Sequence, residues 1–204
     1  MFFSFDGIDG TGKSTQMRLF CDALTAHGHQ IVTCRDPGST RLGEQIREIL
    51  LHSDASTPIG SRSEMLLYMA ARAQLVEEVI QPALTAGTIV VSDRFLLANI
   101  VYQGYAGGLD LEAIRQVGAV ATAGIMPDCV FLLDMDPLDA GARLNRSLDR
   151  MERQGDAYRE RLRAGFLAEA RQPNSRVHVI DSARPIEAIQ ADIWRIAERL
   201  LESG

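Results

Sequence analysis

The chain has 204 residues, 46% apolar and 24% charged, which fits one domain with its own core. No stretch approaches the ~18 consecutive apolar residues of a membrane span, and the apolar start lacks the basic flank and cleavage site of a signal peptide, so a cytoplasmic protein is expected. A net charge of −6 argues against an extended nucleic-acid surface, although a few local arginines suffice to hold a small anion.

In chain order, Phe2–Phe5 is a short apolar run that reads as a buried first strand. Gly7-Ile8-Asp9-Gly10-Thr11-Gly12-Lys13-Ser14-Thr15 follows it, and then Met17, Phe20, Cys21 and Leu24 recur at helical spacing. Further strands are predicted at Ile31–Cys34, Thr88–Ser92, Cys129–Leu133 and Val177–Ile180, nearly continuously apolar, as strands buried on both faces should be. The segment from Arg143 to Arg163 breaks that pattern with many arginines and acids. It reads either as a solvated helix pair with i,i+4 charge pairs or as a mobile arm that closes over an anion. Ile186, Ile189, Ile193, Ile196 and Leu200 mark a last amphipathic helix.

Strands alternating with helices predict an α/β fold, with a five-stranded parallel sheet flanked by helices on both faces. No linker or composition shift divides 1–204 into two domains. Charged residues follow the strands (Asp6, Arg35, Asp93, Asp134 and Asp181), at the end where such sheets bind ligands. Cys21, Cys34 and Cys129 are odd in number and far apart, which predicts buried thiols and no metal site.

The stretch after the first strand matches G-x-x-x-x-G-K-[ST], between a predicted strand and a predicted helix, which is the context that motif requires. Glycines let successive backbone N–H groups turn toward one anion, and the helix N-terminus adds its partial positive charge. Lys13 can reach the β- and γ-phosphates of a nucleotide, and Ser14 can place its hydroxyl on Mg²⁺. Lys13 is also the only lysine, the other 20 of the 21 basic residues being arginine. A compact ammonium on a flexible stem suits a space already ringed by backbone N–H groups better than a planar guanidinium does. Without an N-K-x-D motif, a guanine-specific GTPase is disfavoured.

Five further segments resemble the thymidylate kinase family, in order and at family-like spacing. They are Thr33-Cys34-Arg35-Asp36-Pro37-Gly38 through Arg47, Leu66 through Gln74, Asp93-Arg94-Phe95 through Gly104, Leu133-Asp134-Met135-Asp136-Pro137 through Arg143, and Asp149-Arg150-Met151-Glu152. The resemblance covers nearly the whole chain. It implies a P-loop kinase fold with a short Arg-rich lid at about 143–157, a homodimer, and a Mg²⁺-dependent transfer of phosphate from ATP to dTMP.

It also implies roles. Arg35 and Arg94 would grip the dTMP phosphate, and their forked guanidinium groups suit that task. Asp93 would organise Mg²⁺ with Ser14. Asp9 would meet the sugar 3′-hydroxyl or the metal shell; a helix cap is the competing reading. Tyr68 would stack on thymine and Arg72 donate to a base carbonyl, the two sharing a helix face at i,i+4, although Tyr68 also reads as a core residue. Asn99 would bond the base, and Tyr102, with Gln103 beside it, would lie near the sugar. Arg143 would stack near adenine. Some members carry an arginine at the position of Gly10; those with glycine there supply it from the lid, which points to Arg150, with Arg146 and Arg153 behind it.

The chain departs from the family pattern at Tyr68 for Phe, Ala71 for Asp, Ser39 for Gly, and Leu97-Ala98 for a polar pair. These keep open a kinase for another nucleoside monophosphate or a nucleoside. A nucleotide-binding regulator without turnover is the alternative of a different class.

Overall fold

The computed structural model describes residues 1–53, 56, 58–144 and 155–203. Five strands, β1 (Phe2–Asp6), β2 (Ile31–Arg35), β3 (Ile89–Asp93), β4 (Cys129–Asp134) and β5 (Val177–Asp181), form one sheet in the order β2-β3-β1-β4-β5. Every neighbouring pair is parallel. Each strand runs through the charged residue predicted to follow it, because the ladder pairs backbone and is indifferent to the side chain. Arg35 thus sits opposite Asp93, and Asp134 opposite Asp181.

Side-chain alternation sends successive residues to opposite faces. Phe3, Phe5, Val91, Phe131 and Leu133 meet α1 (Lys13–Ala26) and α9 (Ile186–Ser203) through Phe20, Leu24, Ile189 and Ile193. The rings of Phe3, Phe5, Phe20 and Phe131 pack with centroids 5.1–5.9 Å apart. On the other face, Phe2, Val90, Val130 and Leu132 meet α3 (Ser61–Leu75), α6 (Leu111–Thr122) and α8 (Asp156–Ala170). The remaining helices are α2 (Arg41–His52), α4 (Gln81–Thr85), α5 (Leu96–Asn99) and α7 (Pro137–Ala142). Val76–Ile80 joins α3 to α4, and Ile100–Ala106 extends α5, both as π-helical turns.

The expectation that every strand is buried on both faces holds for β1, β3 and β4 and fails at the sheet edges. In β2 and β5 only Cys34 and Ile180 are buried, because each of these strands has a single neighbour. The thiols divide similarly: Cys34 and Cys129 are buried, whereas Cys21 is half-exposed on α1, and none is in a disulfide. Among the described residues, no helix is long and apolar enough to cross a membrane. Arg146, Arg150 and Arg153 of the predicted lid lie outside the described residues.

β3 lies on one side of β1 and β4 on the other, so a crevice opens above the carboxyl end of β1, where α/β sheets bind their ligands.

Candidate active site

Residues 7–12 turn the chain from β1 into α1. Gly12 caps α1 at φ 89°, a left-handed conformation that glycine adopts without strain. Gly10, at φ 91°, is more tightly constrained: a Cβ there would lie 2.0 Å from the carbonyl oxygen of Ala140 in α7. The Thr11 hydroxyl donates to the Ile8 carbonyl at 2.9 Å and pins the loop from inside. Ser14 and Thr15 lie exposed on the first turn of α1.

Lys13 is only 7% exposed. Its Nζ donates to the carbonyls of Gly7 and Ile8 at 3.1 and 3.0 Å and to Asp9 Oδ1 at 3.3 Å. Burial, and then the nearby Arg94, lower its pKa, while Asp9 raises it. Arg94 follows β3 at φ 66°, left-handed for a residue with a side chain. It donates to the Gly7 carbonyl at 3.0 Å and to Asp9 Oδ1 at 2.8 Å, with its guanidinium 5.1 Å from the centre of the Tyr102 ring. Asp9 is therefore an anion held between two cations, and the cap of α1 is Gly12.

Two acids lie beneath this group. Asp93 Oδ1 is buried without a hydrogen-bond partner among the described residues, as are both oxygens of Asp6. Burial pushes the Asp6 carboxyl up to about 7, against the pull of Arg94 and Lys13. Arg35, at the end of β2, is exposed and holds Glu44 at 2.6 Å. Ser39 stands in left-handed backbone at φ 62°, the conformation for which glycine is usual. Its hydroxyl accepts from the Arg35 N–H at 2.9 Å.

The second wall belongs to α3, α5 and the π-helical turn. Arg72 is 1% exposed and donates through Nε to Asp36 Oδ2 at 2.5 Å. Its Nη1 donates to Met69 Sδ and Asn99 Oδ1, both at 3.0 Å, and its Nη2 to the Phe95 carbonyl at 3.4 Å. A guanidinium has five N–H groups. One Nη2 hydrogen is thus left without a partner among the described residues. Tyr68 is half-buried one turn before Arg72, against the cluster of Ile46, Leu50 and Ala71. Ala71 is fully buried there, so this chain has an apolar contact where the family pattern has an acid.

One cleft of about 750 Å³ is lined by the loop from Asp9 to Gln16, by Arg35, Asp93 and Arg94, by Tyr68 and Arg72, by Asn99, Tyr102 and Gln103, and by Arg143. It brings together every described residue predicted for the site except Gly7 and Ile8, which contribute carbonyls to Lys13. Sequence reasoning missed Asp36, the buried partner of Arg72, whose carboxyl burial pushes up while Arg72 draws it down. It also missed Arg47 of α2, Ser182 and Arg184 after β5, and Ile186 at the start of α9, all of which line the cleft. Glu64 was missed as well, though Glu64, Tyr68 and Arg72 recur every four residues along one face of α3.

The chain matches the family model described as thymidylate kinase over residues 5–193. A thymidylate kinase of an Exiguobacterium species is 46% identical, covering 100% of this chain and 97% of its own length. That of Pelotomaculum thermopropionicum is 42% identical, over 99% of this chain and 94% of its own. The crystal structure of thymidylate kinase from Ehrlichia chaffeensis is similar with a TM-score of 0.79 at 29% identity, covering 97% of this chain and 98% of that one.

The packing of Gly10 on α7 is testable against Gly12, whose Cβ would meet nothing within 4 Å. Both alanine variants carry the cost of left-handed backbone, roughly 1–3 kcal/mol. Gly10→Ala should lower unfolding free energy in denaturant titration by more than Gly12→Ala does, the difference reporting the Ala140 contact. Equal losses would show that α7 yields freely.

Proposed function

The chain belongs to the thymidylate kinase family, and we propose how its cleft performs the phosphorylation of dTMP to dTDP by ATP. A phosphate oxygen of dTMP attacks the γ-phosphorus; a new P–O bond forms as the β–γ bridge breaks, and its electron pair leaves on ADP. The attacking phosphate is dianionic near neutral pH, so no strong general base is required, and catalysis rests on positioning and charge neutralisation.

The loop from Gly7 to Thr15 is the cradle for the ATP phosphates. Lys13 exchanges its carbonyl contacts for phosphoryl oxygens, which are stronger acceptors because they are charged. Arg94 and Arg35, on adjacent strand ends, grip the acceptor phosphate. Asp9 keeps the Lys13 and Arg94 charges tolerable at close range. Tyr68 stacks on thymine, Arg72 spends its unpartnered N–H on a base carbonyl, Asn99 bonds the base, and Tyr102 and Gln103 border the sugar. Arg143 lies on the adenine side.

Asp93 and Ser14 fit a Mg²⁺ site: both residues line the same cleft, the Asp93 carboxylate has an oxygen without a hydrogen-bond partner among the described residues, and Mg²⁺ commonly takes one or two carboxylates plus substrate phosphates. When bound, the ion would neutralise charge on the phosphoryl oxygens. Lid arginines, with Arg150 foremost, would supply the contact that Gly10 cannot. Leu42, Ile49 and Leu66, 44–52% exposed on the packed pair α2 and α3, support a homodimer through helices. A cytoplasmic location is part of the same proposal.

One observation carries the reading: a single cleft joins the phosphate cradle to a buried wall that ends in a directed donor at Arg72. Purified protein with ATP and Mg²⁺ should convert dTMP far faster than dUMP, dCMP or dGMP in a coupled ADP assay. Better turnover of another monophosphate would remove the substrate assignment and leave the kinase; tight ATP binding without any turnover would favour the regulator. Lys13→Arg, which conserves charge, should lose about 100-fold or more in kcat, a loss typical of displacing one electrostatic stabiliser. Near-normal turnover would refute the shape argument. Arg150→Ala should lower kcat much more than it raises the KM for dTMP; unchanged kcat would move the role to Arg146 or Arg153.

A further inference from the structure

Along the cleft wall, and out of the cleft at Glu64, runs a line of five buried polar side chains, none more than 7% exposed. Asp36 accepts from Arg72 Nε, and Arg72 Nη1 donates to Asn99 Oδ1. Asn99 Nδ2 donates to Gln103 Oε1 at 2.5 Å, and Gln103 Nε2 donates to Glu64 Oε1 at 2.9 Å. Arg72, Asn99 and Gln103 line the cleft, whereas Glu64 does not.

The chemistry of the two ends decides the middle. A side-chain amide can bond either way round, offering its oxygen or its nitrogen. A carboxylate only accepts and a guanidinium only donates. Glu64 therefore requires Gln103 to present nitrogen toward it. That turns the Gln103 oxygen toward Asn99, which must answer with nitrogen, and so the Asn99 oxygen faces Arg72. If either amide were reversed, two donors or two acceptors would meet in a buried site, at a cost of roughly 1–3 kcal/mol each.

Two cleft-lining residues thus keep spare capacity: Arg72 one N–H, a donor, and Asn99 Oδ1 a second lone pair, an acceptor. Their complement is a base edge that sets a carbonyl next to a ring N–H, the O4 and N3–H of thymine. Cytosine presents the opposite pair, an amino donor beside a bare ring nitrogen. A reversed Asn99 would offer that ring nitrogen a donor.

We propose that Glu64 is a positioning residue for base selection: from outside the cleft, it fixes the sense of the Gln103–Asn99 amide relay and thereby favours a keto pyrimidine over an amino pyrimidine. The inference rests on the reading of the cleft as a dTMP kinase. When the substrate itself draws on Arg72, the Glu64 end holds the relay in the sense that the base edge requires.

The test compares kcat/KM for dTMP and dCMP in Glu64→Gln, which keeps the volume but can donate as well as accept, and in Glu64→Met, which does neither. The dTMP:dCMP ratio should fall by about threefold in Glu64→Gln and about tenfold in Glu64→Met, losses on the scale of one hydrogen bond. The change should lie in the KM for dTMP, with the KM for ATP unaltered. A purely structural role would lower both substrates together in step with the melting temperature, so an unchanged ratio in Glu64→Gln overturns the proposal. If Glu64→Met does not fold, Glu64→Gln alone decides. Failure of the underlying reading would show separately in the wild-type chain: no preference for dTMP over dCMP would remove the substrate assignment, and no turnover of either would remove the kinase.

Discussion

Lys13 and Arg94 share one carboxylate. Both donate to Asp9 Oδ1, at 3.3 and 2.8 Å, and both reach the Gly7 carbonyl, at 3.1 and 3.0 Å. Two like charges this near one another in a poorly solvated place repel by kilocalories, about 4 kcal/mol at 4 Å for an effective dielectric of 20. The anion between them offsets that repulsion and raises the Lys13 pKa against the burial and the Arg94 charge that lower it. It also ties together parts of the chain 85 residues apart, the turn after β1 and the turn after β3. Arg94 accepts left-handed backbone to take part, held by its N–H to the Phe5 carbonyl at 2.9 Å and by the Tyr102 ring beside its guanidinium. This end of the cleft, proposed above to take the phosphates, is thus assembled by electrostatics that exist before any substrate arrives, which is the condition for catalysis by preorganised charge.

The other wall of the cleft, proposed above to take the base, is built on the opposite plan. Its charged members, Asp36, Arg72 and Glu64, lie among or against buried apolar side chains, and two neutral amides separate the acid at one end from the cation at the other. Removing one partner of a buried ion pair such as Asp36–Arg72 typically costs about 3–5 kcal/mol, so that end of the relay is firmly held. In the proposed function that bonding serves selection, since a wall whose donors and acceptors are held one way round would disfavour a base whose edge is reversed. The exposed Arg35–Glu44 pair at the rim has no comparable cost and can open for a ligand.

The sheet was legible in the sequence because apolar runs between helical patterns mark parallel strands wherever they occur. What such runs cannot report is position across the sheet, so β2 and β5 read as fully buried although each has a bare side. The cradle was legible because its residues are contiguous. Arg35, Tyr68, Arg72, Arg94, Asn99 and Tyr102 were legible only through resemblance to a family, since nothing local to an arginine at a strand end tells a ligand site from a surface. Asp36 and Glu64 escaped for a physical reason. A buried acid is recognised by its partner, and these partners stand 36 and 39 residues away. Arg184, which reaches the cleft from beyond β5, carries no pattern, and the helical spacing that includes Ile186 marks a core face and not a cleft.

The contact between Gly10 and Ala140 couples two elements. The turn after β1 presses against the helix that leads toward the Arg-rich segment, and a side chain of any size at position 10 meets the carbonyl of Ala140. A substitution at position 10 is therefore felt in α7, and any sequence that carries a side chain there must also move that helix. The turn and α7 can change only together, and a single glycine sets how closely they approach.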